Sequence, residues 1–483
     1  MGPGRDRTRY LAYCLSAVAL LLLLVGSLLC WRERMLFTDP SFILFEVLQA
    51  GTPIISEHRY GAALTQVWPL LGFALKLPAP TVLQLYSVSF YLLFATVFAV
   101  LGWGLRQYAF GLMLLLYLTL IVSDTYFWPN NEIHQATALG LLFLGYYFHL
   151  RPRPRRKLWQ HLVLVGLLLL ATNTHLLVAA PLSLLWVAWL WYTIDGRPRE
   201  LGKRDGVYTF LLLLGIGLRY AMSRESWYDG YKLRGVKNLS LEAVSGSFTS
   251  GQLRTMLEYS EGYWPLLLVL AAGVYASVRA RRYGVLLLSL AASVAYVVLV
   301  TVTYPQAFGR DQLYYFESEW MGLGLVLSVP LAAYLEQLRG YVVVGLLITV
   351  FVVRGYTLVG SYAYFHARTE NLERVVDYLE VNDTRLAITE PSQDWRPYFG
   401  ISWGLPLETL WLSALDGAPL SFKIVDGPGE LATPAGEFRS DFKRMPLRSL
   451  DRHYFGSWPA SSYRVLTEDE KLELYELLRP LPD

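Results

Sequence analysis

Apolar residues run through the first three quarters of the chain in blocks of roughly 20, the length a helix needs to cross a bilayer. The blocks fall at 11–30, 82–103, 108–123, 134–150, 158–172, 175–192, 207–221, 263–278, 283–303, 320–335 and 340–360. This spacing predicts about eleven membrane-spanning helices. The first block follows Arg5, Arg7 and Arg9, as the core of a signal peptide would. It is long enough to span, however, no small-residue cleavage site precedes Trp31, and further spans follow, so it reads as an uncleaved first helix.

Shorter patterns appear between the blocks. In segment 31–80, Phe42, Ile43, Phe45, Val47 and Leu48 form one apolar face interrupted by Glu46, and Leu64, Val67, Trp68, Leu70 and Leu71 form another interrupted by Gln66. Both predict helices lying in the membrane interface. From residue 362 the chain turns polar: 375–379 is helix-like, 385–388 and 420–425 are strand-like, and an amphipathic helix begins near Glu468. The expected fold is a polytopic α-helical membrane domain over 1–361, followed by a small α+β extracytoplasmic domain over 362–483.

Positive charge sets the orientation. With a cytoplasmic N-terminus, the even-numbered connections should be rich in Lys and Arg. They carry Arg106; Arg151, Arg153, Arg155, Arg156 and Lys157; Arg197, Arg199, Lys203 and Arg204; Arg279, Arg281 and Arg282; and Arg339. An odd number of spans then puts the C-terminal domain outside. It also puts three long connections there, 31–80, 222–264 and 304–319, and long loops on a rigid scaffold usually carry function.

Composition narrows the class. Hydrophobic residues make up 54% of the 483 and charged residues 17%, which excludes a soluble enzyme. A net charge of +3, from 42 Lys and Arg against 39 Asp and Glu, excludes a nucleic-acid partner. The two cysteines, Cys14 and Cys30, lie in the first apolar block, which excludes a disulfide framework or a CxxC zinc site. The 33 Tyr and 15 Trp suit a chain with many water–lipid boundaries.

Three polar constellations stand out, all on the expected outer side. Thr38-Asp39-Pro40 places a carboxylate at the mouth of the first helix, where a general base is useful; the same residues also suit a helix cap. Glu57-His58-Arg59-Tyr60 sets cationic side chains at the surface, suited to a phosphate or to lipid headgroups. In Trp128-Pro129-Asn130-Asn131-Glu132-Ile133-His134-Gln135, capping by an asparagine leaves Glu132 and His134 unexplained, and polar groups next to hydrocarbon call for a polar cavity. Weaker candidates are Asn173 and His175, and Arg310, Asp311, Tyr314, Tyr315, Glu317 and Glu319. Arg224, Lys232, Arg234 and Lys237, beside Trp227, Tyr228 and Tyr231, would suit a sugar phosphate or an anionic lipid. The histidines His58, His134 and His175 show no metal-ligand spacing, and no GxGxxG, P-loop or GxSxG string stands in a meaningful place. Asn238-Leu239-Ser240 and Asn382-Asp383-Thr384 are glycosylation sequons.

The pattern resembles the GT-C class of membrane glycosyltransferases, which includes protein mannosyltransferases and the enzymes that add aminoarabinose to lipid A. The likeness covers the architecture of about the first 360 residues. It is strongest over 36–102: an Asp after the first span, an amphipathic helix, a charged turn, a second helix with Trp68-Pro69-Leu70, Lys76-Leu77-Pro78, then a long span. The resemblance implies transfer of a sugar from a polyprenyl-phosphate donor to a lipid, glycan or protein acceptor outside the membrane, with inversion. It implies Asp39 as the base, Glu132 as the acid beside it, and Glu57, His58 and Arg59 near the donor phosphate. His134, Arg224, Lys232, Arg310 and Tyr314 are the further substrate-binding candidates. Many members carry two adjacent acids after the first span where this chain has Asp39-Pro40, so a partner carboxylate would come from Glu46, Glu57 or Glu132. That leaves open both a divalent cation, Mg or Mn, and a noncatalytic relative. The stretch 403–410 matches no outer domain pattern. The bilayer expected is a bacterial inner membrane, whose lipids are then partners too. A transporter or flippase is the competing class; it would need polar residues in mid-span, whereas those of this chain cluster at the outer ends.

Overall fold

The computed structural model describes residues 3–153, 156–194, 197–225, 229–230, 240–246, 249–389, 394–425, 452–456 and 464–482. Every one of the eleven apolar blocks forms a helix. The chain opens with α1 (Pro3–Leu29), a short α2 (Trp31–Met35), α3 (Thr38–Ala50) and α4 (Ala63–Ala74). Then follow α5 (Ala79–Ala99), α6 (Tyr108–Leu120), α7 (Glu132–Leu150), α8 (Leu158–Thr174), α9 (Ala179–Thr193) and α10 (Lys203–Glu225). A short α11 (Gly251–Glu258) precedes α12 (Pro265–Ala280), α13 (Gly284–Thr303), α14 (Leu313–Tyr334) and α15 (Gly340–Val381).

Among the described residues, eight helical stretches are long and apolar enough to cross a membrane: Arg7–Leu29, Ala79–Gly104, Leu176–Thr193, Lys203–Glu225, Ser260–Ala280, Gly284–Thr303, Arg310–Gln337 and Gly340–Val381. The fold is that of an α-helical membrane protein. The expected eleven and these eight differ at α6, α7 and α8. With 13 residues, α6 rises about 20 Å, short of a hydrocarbon core of about 30 Å. It is buried on every side, so apolar composition here reflects helix neighbours rather than lipid. α8 has 17 residues, and α7 begins with the polar Glu132 and His134.

α14 is the axis of the bundle, with the whole of its apolar window buried. It packs against α6, α9, α12 and α13. α1 crosses the end of α5 closely: the Tyr13 ring stacks on Phe98 with centroids 4.2 Å apart, and its hydroxyl donates to the Phe98 carbonyl at 3.0 Å. A side chain at Gly102 would overlap the Tyr13 ring, so glycine is required where the two helices touch.

α15 has 42 residues, about 63 Å of helix, twice the thickness of a hydrocarbon core. Its apolar half ends at Arg354, whose guanidinium donates to the carbonyls of Thr119 and Val122 (2.9 Å each) at the C-terminal end of α6. The expected domain boundary at 361 falls inside this helix, which runs unbroken to Val381. Its second half carries the C-terminal unit, where β1 (Leu386–Thr389), β2 (Ser421–Ile424) and β3 (Arg464–Val465) form a parallel sheet in the order β2-β1-β3. α16 (Leu405–Leu415) is the crossover that a parallel β1–β2 pair demands, and α17 (Glu468–Leu477) starts on a capping box between Thr467 and Glu470. The unit is tied to α15 through buried Asn371, whose amide donates to the carbonyls of Tyr398 (2.9 Å) and Arg479 (2.8 Å). It also covers α3, where the buried Trp411 indole donates to the Ser41 carbonyl at 3.1 Å.

Candidate functional site

A cavity of about 400 Å³ opens at one end of the bundle, where helix termini and connecting turns meet. Asp39 enters it from the first turn of α3, Arg59 from the turn after that helix, Glu132 from the start of α7, and Glu319 from the second turn of α14. Trp128, Tyr304, Tyr315 and Trp403 add aromatic faces. Asp39 and Glu132, far apart in sequence, therefore line the same cavity.

Asp39 is not the cap that its local sequence allows. The N-cap position of α3 belongs to Phe37, which makes no side-chain cap bond. Asp39 lies inside the first turn, where the helix dipole favours a negative charge, and its Oδ2 accepts from the Trp128 indole at 2.9 Å.

Arg59 owes its position to an unusual turn. Glu57 and His58 both adopt left-handed backbone angles, with φ of 53° and 58°. Two such residues in succession are costly outside glycine and persist only where surrounding contacts hold them. The contact here is a run of alternating charge. Arg59 Nη1 donates to Glu132 Oε2 at 2.8 Å and Nη2 donates to Asp229 Oδ1 at 2.8 Å. Arg219, from α10, donates to the other Asp229 oxygen at 2.5 Å and to the Glu57 carbonyl at 3.0 Å. Arg59, which the sequence suits to a phosphate or to lipid headgroups, here holds two carboxylates, which orders the Glu132 side chain.

Asp39, Glu57, Glu132 and Glu319 place four carboxylates around the cavity. Glu319 accepts from the Gln252 amide of α11 at 2.9 Å, and the Gln252 carbonyl in turn accepts from the Trp320 indole at 2.7 Å. Among the described residues the buried Asn130 Oδ1, behind the cavity wall, has no hydrogen-bond partner. Carboxylates and amides among flat aromatic faces suit a polyhydroxyl ligand, whose hydroxyls need acceptors and whose C–H faces stack on rings. An apolar groove of about 220 Å³ adjoins this cavity, sharing His175, Leu177 and Tyr304 with it. Its remaining wall includes Leu176, Ala179, Ala180 and Leu299, with the Asp229 carboxylate of the ion-pair run at one side. Among the described residues no three His, Cys, Asp or Glu side chains converge closely enough to hold a metal ion.

The other candidates lie elsewhere. His58 is exposed beside Tyr60, and Arg224 is exposed at the end of α10. His134 faces into the bundle, its Nδ1 3.0 Å from the Tyr117 hydroxyl, because two residues along the helix from Glu132, about 200° of turn, point a side chain away from the cavity. Tyr314 is buried behind the wall, packed on Trp128 and Tyr315, both of which line the cavity. Arg310 pairs with Asp124 and lies over the Tyr364 ring, facing a different cleft. Glu46 is buried in α3 and is not part of the cavity wall. Glu317 is structural: it accepts from the backbone N–H groups of Ser123 (2.9 Å) and Thr125 (2.8 Å) and from the Tyr263 hydroxyl (3.0 Å). Asn173 bonds back to its own helix at the Leu169 carbonyl. Lys232, Arg234, Lys237, Trp227, Tyr228, Tyr231 and the Asn238 sequon lie outside the described residues.

Sequence reasoning missed Asp229, Arg219, Tyr304 and Trp403. Arg219 carried a readable signal, a cation within an apolar helix, which is retained where it faces a polar partner. Trp403 and Asp229 carried none, since Trp403 reaches the cavity, and Asp229 the adjoining groove and the Arg59 pair, only through tertiary folding. No protein-family model, curated protein or solved structure matches this chain.

Proposed function

We propose that this chain is a membrane glycosyltransferase of the GT-C kind, which moves a sugar from a polyprenyl-phosphate donor to an extracytoplasmic acceptor. The observation that supports this reading most is the union of two chemistries at one end of the bundle. A polar cavity bearing Asp39 and Glu132 shares wall residues with an apolar groove, as a sugar attached to a lipid would require. The Lys and Arg distribution favours a cytoplasmic N-terminus, and Asp39, just after the first span, would then lie on the extracytoplasmic face. Nucleotide sugars are lacking there, and a lipid phosphate is a workable leaving group.

In this reading Asp39 takes the proton of an acceptor hydroxyl as that oxygen attacks the anomeric carbon. The bond from that carbon to the phosphate oxygen breaks on the opposite side, the polyprenyl phosphate leaves with the electron pair, and the anomeric configuration inverts. Trp128 orients the Asp39 carboxylate, and Arg59 holds Glu132 where it can accept a hydrogen bond from the sugar. A transporter would place its polar site near mid-bundle; here the polar residues sit at helix ends, which favours chemistry at the surface over a pathway.

The test compares host cells carrying the wild-type chain or the Asp39→Asn variant at equal membrane abundance, with lipid-linked sugars and surface glycans read by mass spectrometry. Losing a general base costs about 10²- to 10⁴-fold in rate, so the variant should accumulate one lipid-linked sugar and one glycoconjugate should lose a sugar. Unchanged profiles in a strain where deletion of the whole protein has a phenotype would remove Asp39 from the base role and bring forward the reading of a transporter or of a noncatalytic relative.

A further inference from the structure

The turn that carries Asp39 is held from the C-terminal unit. The Thr38 N–H donates to Glu408 Oε1 at 2.5 Å, and the other Glu408 oxygen accepts from Arg368 Nη2 at 2.6 Å. Both side chains of this pair are buried. Arg368, in the second half of α15, also donates to the Leu36 carbonyl at 3.0 Å and to the Phe399 carbonyl at 2.8 Å, and it lies 5.0 Å over the Phe37 ring. Leu36, Phe37 and Thr38, the three residues that lead into Asp39, are thus all gripped by one buried ion pair.

Two further observations show that the grip is built for this turn. Thr38 has φ of +21°, on the positive side where a β-branched residue is an outlier. Such a conformation persists only where neighbours over-determine it. Gly404 meets the same place: a Cβ there would come within 2.7 Å of the Thr38 Cα. The backbone of the C-terminal unit therefore lies directly on Thr38, and the adjacent Trp403 lines the cavity with its ring 6.0 Å from Phe42. A clamp meant only to dock the unit would not need to seize the residue beside the cavity carboxylate in a strained backbone state.

We propose that Glu408, braced by Arg368, is a positioning residue for Asp39, so that the C-terminal unit is a working part of the site rather than an appended module. This rests on the reading of Asp39 as the base. The unit's motif at 403–408 has one consistent account: Trp403 forms wall, Gly404 permits the approach, and Glu408 fixes the turn.

The test uses the full chain in lipid vesicles, with polyprenyl-phosphate sugars extracted from the host membrane as donor and the host surface-glycan fraction as acceptor. Two readouts are taken, transfer kinetics and hydrogen exchange of the backbone amides over 38–41. A displacement of about 1 Å costs on the order of 10²-fold in rate, so Glu408→Ala should lower kcat by ~100-fold with the apparent donor KM within about twofold. Its 38–41 amides should exchange at least ~10-fold faster. Glu408→Gln keeps an oxygen that can accept from Thr38, so its kcat should fall between wild type and the alanine variant; it carries the test if the alanine variant does not fold. Unchanged exchange in the variants, or faster exchange with kcat intact while Asp39→Asn is inactive, overturns the positioning role. An active Asp39→Asn variant overturns the base reading and the positioning role with it, and is told apart because exchange over 38–41 in Glu408→Ala still rises.

Discussion

At the scale of single residues, the decisive group is Arg59. Its planar fork reaches two carboxylates at once, Glu132 and Asp229 at 2.8 Å each, which a point charge on a flexible stem does poorly. Removing it leaves two buried acids facing each other with Arg219 as the remaining cation of the run. Breaking a buried pair in this way costs about 3–5 kcal/mol, so Arg59→Ala should lower the thermal unfolding midpoint of the detergent-solubilised protein markedly. Arg59→Lys should recover part of that loss, and an unfolding curve for Arg59→Ala that overlays wild type would show the run to be dispensable. The residue types at the site were legible in sequence: Asp39, Glu57, Arg59 and Glu132 were all singled out. Their pairing was not, because Asp229 comes from a segment 170 residues beyond Arg59 and no local pattern links the two.

At the scale of elements, apolar periodicity located every long helix, since burying backbone polar groups in hydrocarbon leaves helices as the only open choice. It did not tell lipid-facing helices from protein-facing ones. α6, too short to span, and α14, itself a span, are as apolar as the lipid-facing helices but are wrapped by their neighbours, because helices inside a large bundle read as uniformly apolar just as lipid-facing ones do. Close helix crossings were likewise hidden. Gly102 looks like an ordinary glycine at the end of a span, yet it is where α5 meets Tyr13 of α1. Gly102→Ala should force the ring aside at about 1–3 kcal/mol, seen as reduced thermal stability and reduced yield of folded protein. Wild-type stability in that variant would mean that α1 and α5 can part without loss.

At the scale of the whole molecule, the two halves of the chain meet at the cavity. The C-terminal unit was expected as a separate domain, but α15 continues into it and α16 packs on α3, so its removal would uncover the helix that carries Asp39. Trp411 is a buried anchor of this contact, packed on Phe455 and bonded to Ser41. Replacing a core tryptophan by alanine costs about 3–5 kcal/mol. Trp411→Ala should therefore leave the membrane helices inserted while limited proteolysis releases the C-terminal unit faster; an unaltered proteolysis pattern would show that α15 alone holds the unit in place.

Local sequence pattern set the helical membrane character, the position of each long helix and the places of β1 and β2, while β3, two residues long, left no readable pattern. These follow from local physics: apolar length, period and the cost of polar groups next to hydrocarbon. Tertiary structure alone decided that Asp39, Glu132 and Glu319 share one cavity, that Arg59 serves carboxylates, and that Glu408 grips the turn before Asp39. Each of these joins residues from distant parts of the chain, and such contacts are fixed by how the helices pack around α14 and how α15 delivers the C-terminal unit.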